Sequence, residues 1–205
     1  ATRAGCHLPK VDAAVDTDLY LAERVHVPGR LWESASADVL PSGVAPEIHA
    51  RVEQQKKFWK QHYADFLAAP MPASPVLADR VLLAHARARI GAPDAFSAID
   101  AITHVSVADA HFLRAITCEV QQKRSEVLVH IERGLDSLMD APWCRLSLVN
   151  ATLQLLGDLS QSKAVVQDPR FAVIFEKLDR DYPVGVGHNM RLGMRCEMAL
   201  RPKLP

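Results

Sequence analysis

The sequence predicts an all-α chain: a short α-solenoid of about four antiparallel helical hairpins, preceded by an extended N-terminal segment. Three observations lead there. From Pro46 onward, apolar residues recur at three- and four-residue spacing. The stripes are separated by short Pro- or Gly-marked links. No stretch keeps the two-residue alternation of a half-buried strand. The predicted organisation is therefore an extended segment over residues 1–46 and a helical-repeat domain over 47–205.

The helices can be justified in order. "APEIHARVEQQKKFWKQHYADFLAAP" is a single predicted helix that places Ile48, Val52, Trp59, Tyr63 and Phe66 on one stripe, with Phe58 and Leu67 beside it. Pro46 suits its first turn and Pro70 ends it. "SPVLADRVLLAHARARIGAP" follows, with Ser74 as N-cap, Pro75 in the first turn, a slim face of Leu77, Val81, Ala84 and Ala88, and Gly91 as the stop. "PDAFSAIDAIT" uses Phe96, Ile99 and Ile102, and the helix over 107–122 uses Phe112, Leu113, Ile116 and Val120. The helix over 124–140 has the most regular stripe: Val127, Leu128, Ile131, Leu135, Leu138 and Met139. "LSLVNATLQLLGDLSQ" carries two stripes, Leu146, Val149, Leu153 and Leu156 on one side and Leu148, Leu155 and Leu159 on another, so it is packed on two sides. "DPRFAVIFEKLDRDYP" has Asp168 as N-cap, Pro169 in first position, and Phe171, Ile174, Phe175, Leu178 and Tyr182 inward. The last helix, over 187–201, aligns Met190, Met194 and Met198. Short links make neighbours antiparallel; second members starting near 108, 145 and 187 give intervals of 37 and 42, and the anchors Phe96, Ile131 and Phe171 differ by 35 and 40, a recurrence that marks helical repeats, with an irregular helical bundle as the alternative.

Residues 1–46 differ. They are rich in Pro and Gly yet carry Leu19, Tyr20, Leu21, Val25, Val27, Leu31 and Trp32, too apolar for an ordinary disordered tail. An extended path across the chain's own helices and one across a partner are both open. Tyr20 and Trp32 are the candidate partner anchors, because buried aromatics tend to carry interface energy.

Composition narrows function. The 205 residues are 49% hydrophobic, enough for a sizeable core, and 24 Lys+Arg balance 24 Asp+Glu. A nucleic-acid binder draws affinity from a basic excess, which is lacking here. A neutral surface promotes association, which suits a subunit of an assembly. No apolar run is long enough for a transmembrane helix. The sequence opens "ATRAGCHLPK" without a secretory pattern; a start at Ala1 is what removal of an organellar transit peptide, or a truncation, would leave. Cys6, Cys118, Cys144 and Cys196 are widely spaced. The last three sit in apolar helical patterns and are expected to be small buried hydrophobes in a reducing compartment.

No catalytic, cofactor-binding or metal site is expected. "VGVGHNMRLG" lacks the preceding strand and glycine spacing of a dinucleotide fingerprint and is taken as a loop between helices. The nine histidines form no His-Glu-x-x-His and none pairs with cysteine at zinc spacing. Asp12, Asp16 and Asp18 lack the glycine and late glutamate of a calcium loop. No Gly-x-Ser-x-Gly elbow occurs. Lys56, Lys57 and Lys60 beside Phe58 and Trp59 are expected to be the solvated side of a helix whose aromatics face inward, rather than a nucleic-acid patch. The methionine stripe suits core packing or an adaptable interface. Asn150-Ala151-Thr152 matches the N-glycosylation pattern, but an acceptor needs a surface loop and this one lies in a helix that is apolar on two sides.

The repeats resemble pentatricopeptide repeats, in which a helix like "TYNxLI" precedes one like "ALELFEEM". "LVNATLQLL" followed by "FAVIFEKLDRDYP" is similar to that pair: Asn150 stands at the motif's Asn, and Phe175, Glu176 and Leu178 match its second helix. "DAHFLRAITCEVQQ" with "VLVHIERGLDSL" fits more loosely, with His111 in place of the Asn. "EVLVHIE" followed by "NATLQ" further resembles the pentatricopeptide-like subunits bound to the F1 head of euglenozoan mitochondrial ATP synthases. The resemblance covers roughly residues 94–200. It implies a non-catalytic accessory subunit on the matrix side of the inner mitochondrial membrane, with ATP synthase F1 subunits as protein partners and no cofactor. RNA-reading members of that family use polar side chains at code positions. Ala151, next to Asn150, offers none, which argues against RNA as the ligand; an organellar RNA-binding repeat protein or mitoribosomal subunit is the alternative.

Overall fold

In the computed structural model, residues 46–71, 75, 77–141, 144–180, 182 and 191–196 are described. All regular structure among them is helical, as expected from the sequence. The chain divides into two compact units, residues 1–72 and 73–205.

In the first unit, α1 (Pro46–Trp59) is followed by α2 (Tyr63–Ala68). The sequence reading had one helix here. It is broken because Gln61 adopts a left-handed backbone with φ of 62°. The Gln61 amide bonds to the Phe58 carbonyl and the His62 amide to the Lys57 carbonyl, the paired bonds of a Schellman cap. The break folds Phe66 back onto Phe58, with ring centroids 5.3 Å apart and edge-on, while Trp59 and Tyr63 also meet Phe58 edge-on. The Gln54 side-chain amide donates to the Phe66 carbonyl and ties the two helices together. Lys57 and Lys60 are exposed, as anticipated. Lys56 departs from that reading: it is buried, and its ammonium contacts Glu53 at 2.7 Å.

The second unit contains α3 (Leu77–Ile90), α4 (Ala95–Thr103), α5 (Val107–Val120), α6 (Arg124–Asp140), α7 (Leu146–Leu159), the short α8 (Lys163–Val166) and α9 (Pro169–Lys177); residues 191–196 are also helical. Gly91, with φ of 65°, ends α3 in the same Schellman arrangement that Gln61 makes. Asp168 caps α9 by accepting from the Arg170 amide at 2.9 Å, with Pro169 in the first turn, as the sequence indicated.

The apolar stripes meet in one core of Ile99, Ile102, Leu113, Ile116, Leu128, Ile131, Leu135, Leu138, Leu148, Leu156 and Ile174. Each such side chain removed from water contributes about 1.5–3 kcal/mol. Val120 and Met139, assigned to the stripes from sequence, lie exposed instead, in the last turns of α5 and α6. The most extensive packing joins α5 to α6, whereas the interval of second members had pointed to α6 with α7. α3 and α7 each pack on α5, and α9 packs on α6. Gly134 of α6 allows the close approach to α5, because a Cβ there would lie 2.4 Å from the Phe112 ring.

Electrostatic ties reinforce this order. Lys177 of α9 is buried and reaches Glu132 at 2.9 Å and Asp136 at 2.6 Å, both on α6. Arg180 also pairs with Asp136. Arg191 is fully buried; it donates to the carbonyls of Leu178 and Arg180 just past α9 and stacks 4.1 Å from the Tyr182 ring centre. A guanidinium suits that position, where carbonyls at a helix C-terminus lack partners.

Candidate functional site

The α5–α6 hairpin brings together the side chains with the most distinctive chemistry. The turn between the helices is set by Gln122, whose left-handed φ of 60° allows its amide to reach the Glu119 carbonyl and the Lys123 amide to reach that of Cys118. The helices then run antiparallel, so partners rise in number on one as they fall on the other. Cys118 meets Glu126, and His111 meets His130.

The imidazoles of His111 and His130 have their Nδ1 atoms 3.3 Å apart and their rings stacked at a centroid distance of 5.6 Å. A hydrogen bond at this distance requires one Nδ1 to carry a proton and the other to accept it, that is, different neutral tautomers of the two rings. Partial burial, with Arg114, His130 and Arg133 nearby, lowers the His111 pKa to about 4. Burial and the same two arginines lower that of His130. Both are therefore uncharged at neutral pH. Arg114 is held at 2.7 Å from Asp100 and 3.0 Å from Thr103, while Arg133 is exposed. In the sequence His111 stands where the pentatricopeptide motif has Asn; its partner lies across the turn and is invisible to periodicity.

One helical turn from His130, Glu126 faces Cys118 with Oε2 at 3.9 Å from Sγ. Cys118, Glu126 and His130 each offer a ligand atom, all within 4.8 Å of one another. Sequence spacing had paired no histidine with a cysteine. The missed signal was Glu126 and His130 at i,i+4 directly after a turn that follows Cys118. Burial, aided by the neighbouring Glu126, pushes the Cys118 thiol up to about 11, so the free side chain is protonated.

A second polar group lies beside the hairpin. The Asp109 carboxylate on α5 is buried and accepts from Ser106 Oγ at 2.8 Å, Cys144 Sγ at 2.9 Å and the Arg145 amide at 3.0 Å. Arg145 immediately precedes α7, so Asp109 places a negative charge at that helix's N-terminus and fixes α7 against α5. Burial and Asp109 both raise the Cys144 pKa. Cys144 is thus a thiol donor to a carboxylate, lacking the thiolate that a nucleophile needs. His85 of α3 is buried and accepts from Arg89 Nε at 3.3 Å; burial first, then Arg89 and Arg145, lower its pKa to about 3.

Among the other residues singled out from sequence, Tyr20 and Trp32 lie outside the described residues. Of the three cysteines expected to be buried, Cys118 is, Cys144 is half-buried and Cys196 is exposed; all three are free. Cys196 is the last described residue of the C-terminal helix. Met194 packs against the core, next to Gly157. Asn150 sits within α7, not in a loop, and its Oδ1 is buried without a hydrogen-bond partner among the described residues. Comparison with protein-family models, with curated proteins and with solved structures finds no match for this chain.

Proposed function

We propose that the chain is a non-catalytic accessory subunit of a mitochondrial complex, a pentatricopeptide-like α-solenoid that docks on the F1 head of ATP synthase. The observation that carries the repeat reading is the packing order: α3 and α7 flank α5, and α9 lies against α6. First helices stacking on first helices, and second on second, is how hairpin repeats propagate. The α5–α6 hairpin and the helices α7 and α9 are also the segments that carry the motifs resembling pentatricopeptide repeats, with His111 and Asn150 each the fifth residue of its helix, on α5 and α7. The F1 assignment rests on the motif resemblance alone. Equal acidic and basic content favours a protein partner over RNA. In this account the helical body supplies a rigid face, and Tyr20 and Trp32 anchor the N-terminal segment on the partner.

Isolation of the native protein under mild detergent tests the reading. Co-purification with F1 subunits in fixed proportion supports it. Recovery with RNA, released steeply as salt is raised, would replace it with the RNA-binding alternative.

A further inference from the structure

We propose that Cys118, Glu126 and His130 form a binding site for a divalent transition-metal ion, with zinc the best match to the ligand set. A thiolate, a carboxylate and an imidazole together suit zinc's borderline softness, and three protein ligands leave one position open to water. Their placement comes from the fold. Cys118 closes α5, Glu126 lies in the first turn of α6, and His130 stands one turn further along the same face. The Gln122 turn fixes the two backbones.

The spacing is close to what the ion requires. Tetrahedral zinc with bonds of about 2.0–2.3 Å sets its ligand atoms roughly 3.3–3.7 Å apart. Here the three atoms lie within 4.8 Å, with sulfur and carboxylate oxygen at 3.9 Å. Glu126 is exposed, so its side chain can turn to bring its oxygen toward both other ligand atoms, and side-chain rotation of Cys118 and His130 accounts for the rest. His111 supplies the support that metal-binding imidazoles usually have: its contact with His130 at 3.3 Å orients the ring. His111 is thus a positioning residue for the site.

Charge balances as well. Binding expels the Cys118 proton to solvent, and thiolate plus carboxylate then offset the two positive charges of the ion. Lys123, near Cys118, favours the thiolate, whereas Arg114 and Arg133 near His130 oppose a cation. The alternative is that the thiol simply donates a weak hydrogen bond to Glu126. The inference does not depend on the docking reading.

The test uses the full chain, reduced and freed of chelator, titrated with Co2+ and then Zn2+. The expected result is one equivalent of Co2+ with a sulfur-to-cobalt charge-transfer absorption that Zn2+ abolishes. Cys118→Ser removes that absorption and Cys196→Ser retains it. Glu126→Gln alters an exposed side chain, so it leaves the fold intact, checked by circular dichroism, and weakens binding at least about tenfold. His111→Phe weakens it by about 10–100-fold. Absence of the absorption, its persistence in Cys118→Ser, or unchanged affinity in Glu126→Gln would overturn the proposal.

Discussion

Gly134→Ala should destabilise the α5–α6 hairpin, although alanine is the better helix former. Two opposing effects can be weighed. Replacing a mid-helix glycine by alanine gains about 1 kcal/mol from helix propensity. The new methyl, however, would lie 2.4 Å and 2.7 Å from two carbons of the Phe112 ring. Carbon atoms pack best about 3.5–4.0 Å apart, so the overlap exceeds roughly 1 Å. Phe112 is 1% exposed and cannot swing into solvent. Overpacking of this kind costs about 1–3 kcal/mol, and the rigid, enclosed ring places it at the upper end. The expected net loss is about 2 kcal/mol, read from urea unfolding followed by circular dichroism. Phe112→Leu alone should cost about 1–2 kcal/mol through the space it leaves. In the double variant that space accepts the methyl, so the combined loss falls short of the sum by about 1 kcal/mol or more. A Gly134→Ala protein as stable as the parent, or additive losses in the double variant, would refute the close-approach account.

Two further perturbations address the turn and the buried histidine. Gln122→Gly should raise stability by about 1 kcal/mol, because the left-handed backbone there strains any residue with a Cβ; a loss in the same unfolding assay would contradict the cap assignment. His85, with its pKa lowered from 6.5 to about 3, stays neutral in the fold, while the unfolded chain takes up a proton below pH 6.5. Its contribution is therefore present above pH 6.5 and is lost as pH falls toward 3, at up to about 1.4 kcal/mol per pH unit. Between pH 7 and 5 the parent should lose about 2 kcal/mol more than His85→Gln; equal losses would show that His85 does not titrate in this way.

The elements that could be read from sequence are those whose signals are local. Asp168 and Pro169 announce the start of α9, Gly91 the end of α3, and the stripe from Val127 to Leu138 the buried side of α6. Where the structure departs, the determinant lies elsewhere. Gln61 ends α1 in a conformation that glycine usually marks, so nothing in its identity warned of the break. Periodicity cannot say which neighbour a stripe faces, and α6 turned out to pack chiefly on α5. The site depends on pairs across a turn: His111 with His130, and Cys118 with Glu126. Each looks ordinary on its own helix. Lys177 likewise carries a charge that argues for the surface, and only Glu132 and Asp136, two turns of another helix, explain why it is buried.

The central claim is that this helical body is a protein-docking scaffold within a mitochondrial complex. Cross-linking mass spectrometry on the natively purified protein tests it most directly. The account predicts cross-links from the exposed lysines of this chain, among them Lys57, Lys60 and Lys123, to subunits of the ATP synthase F1 head. A monomer that carries no ATP synthase subunit and yields only internal cross-links would contradict it.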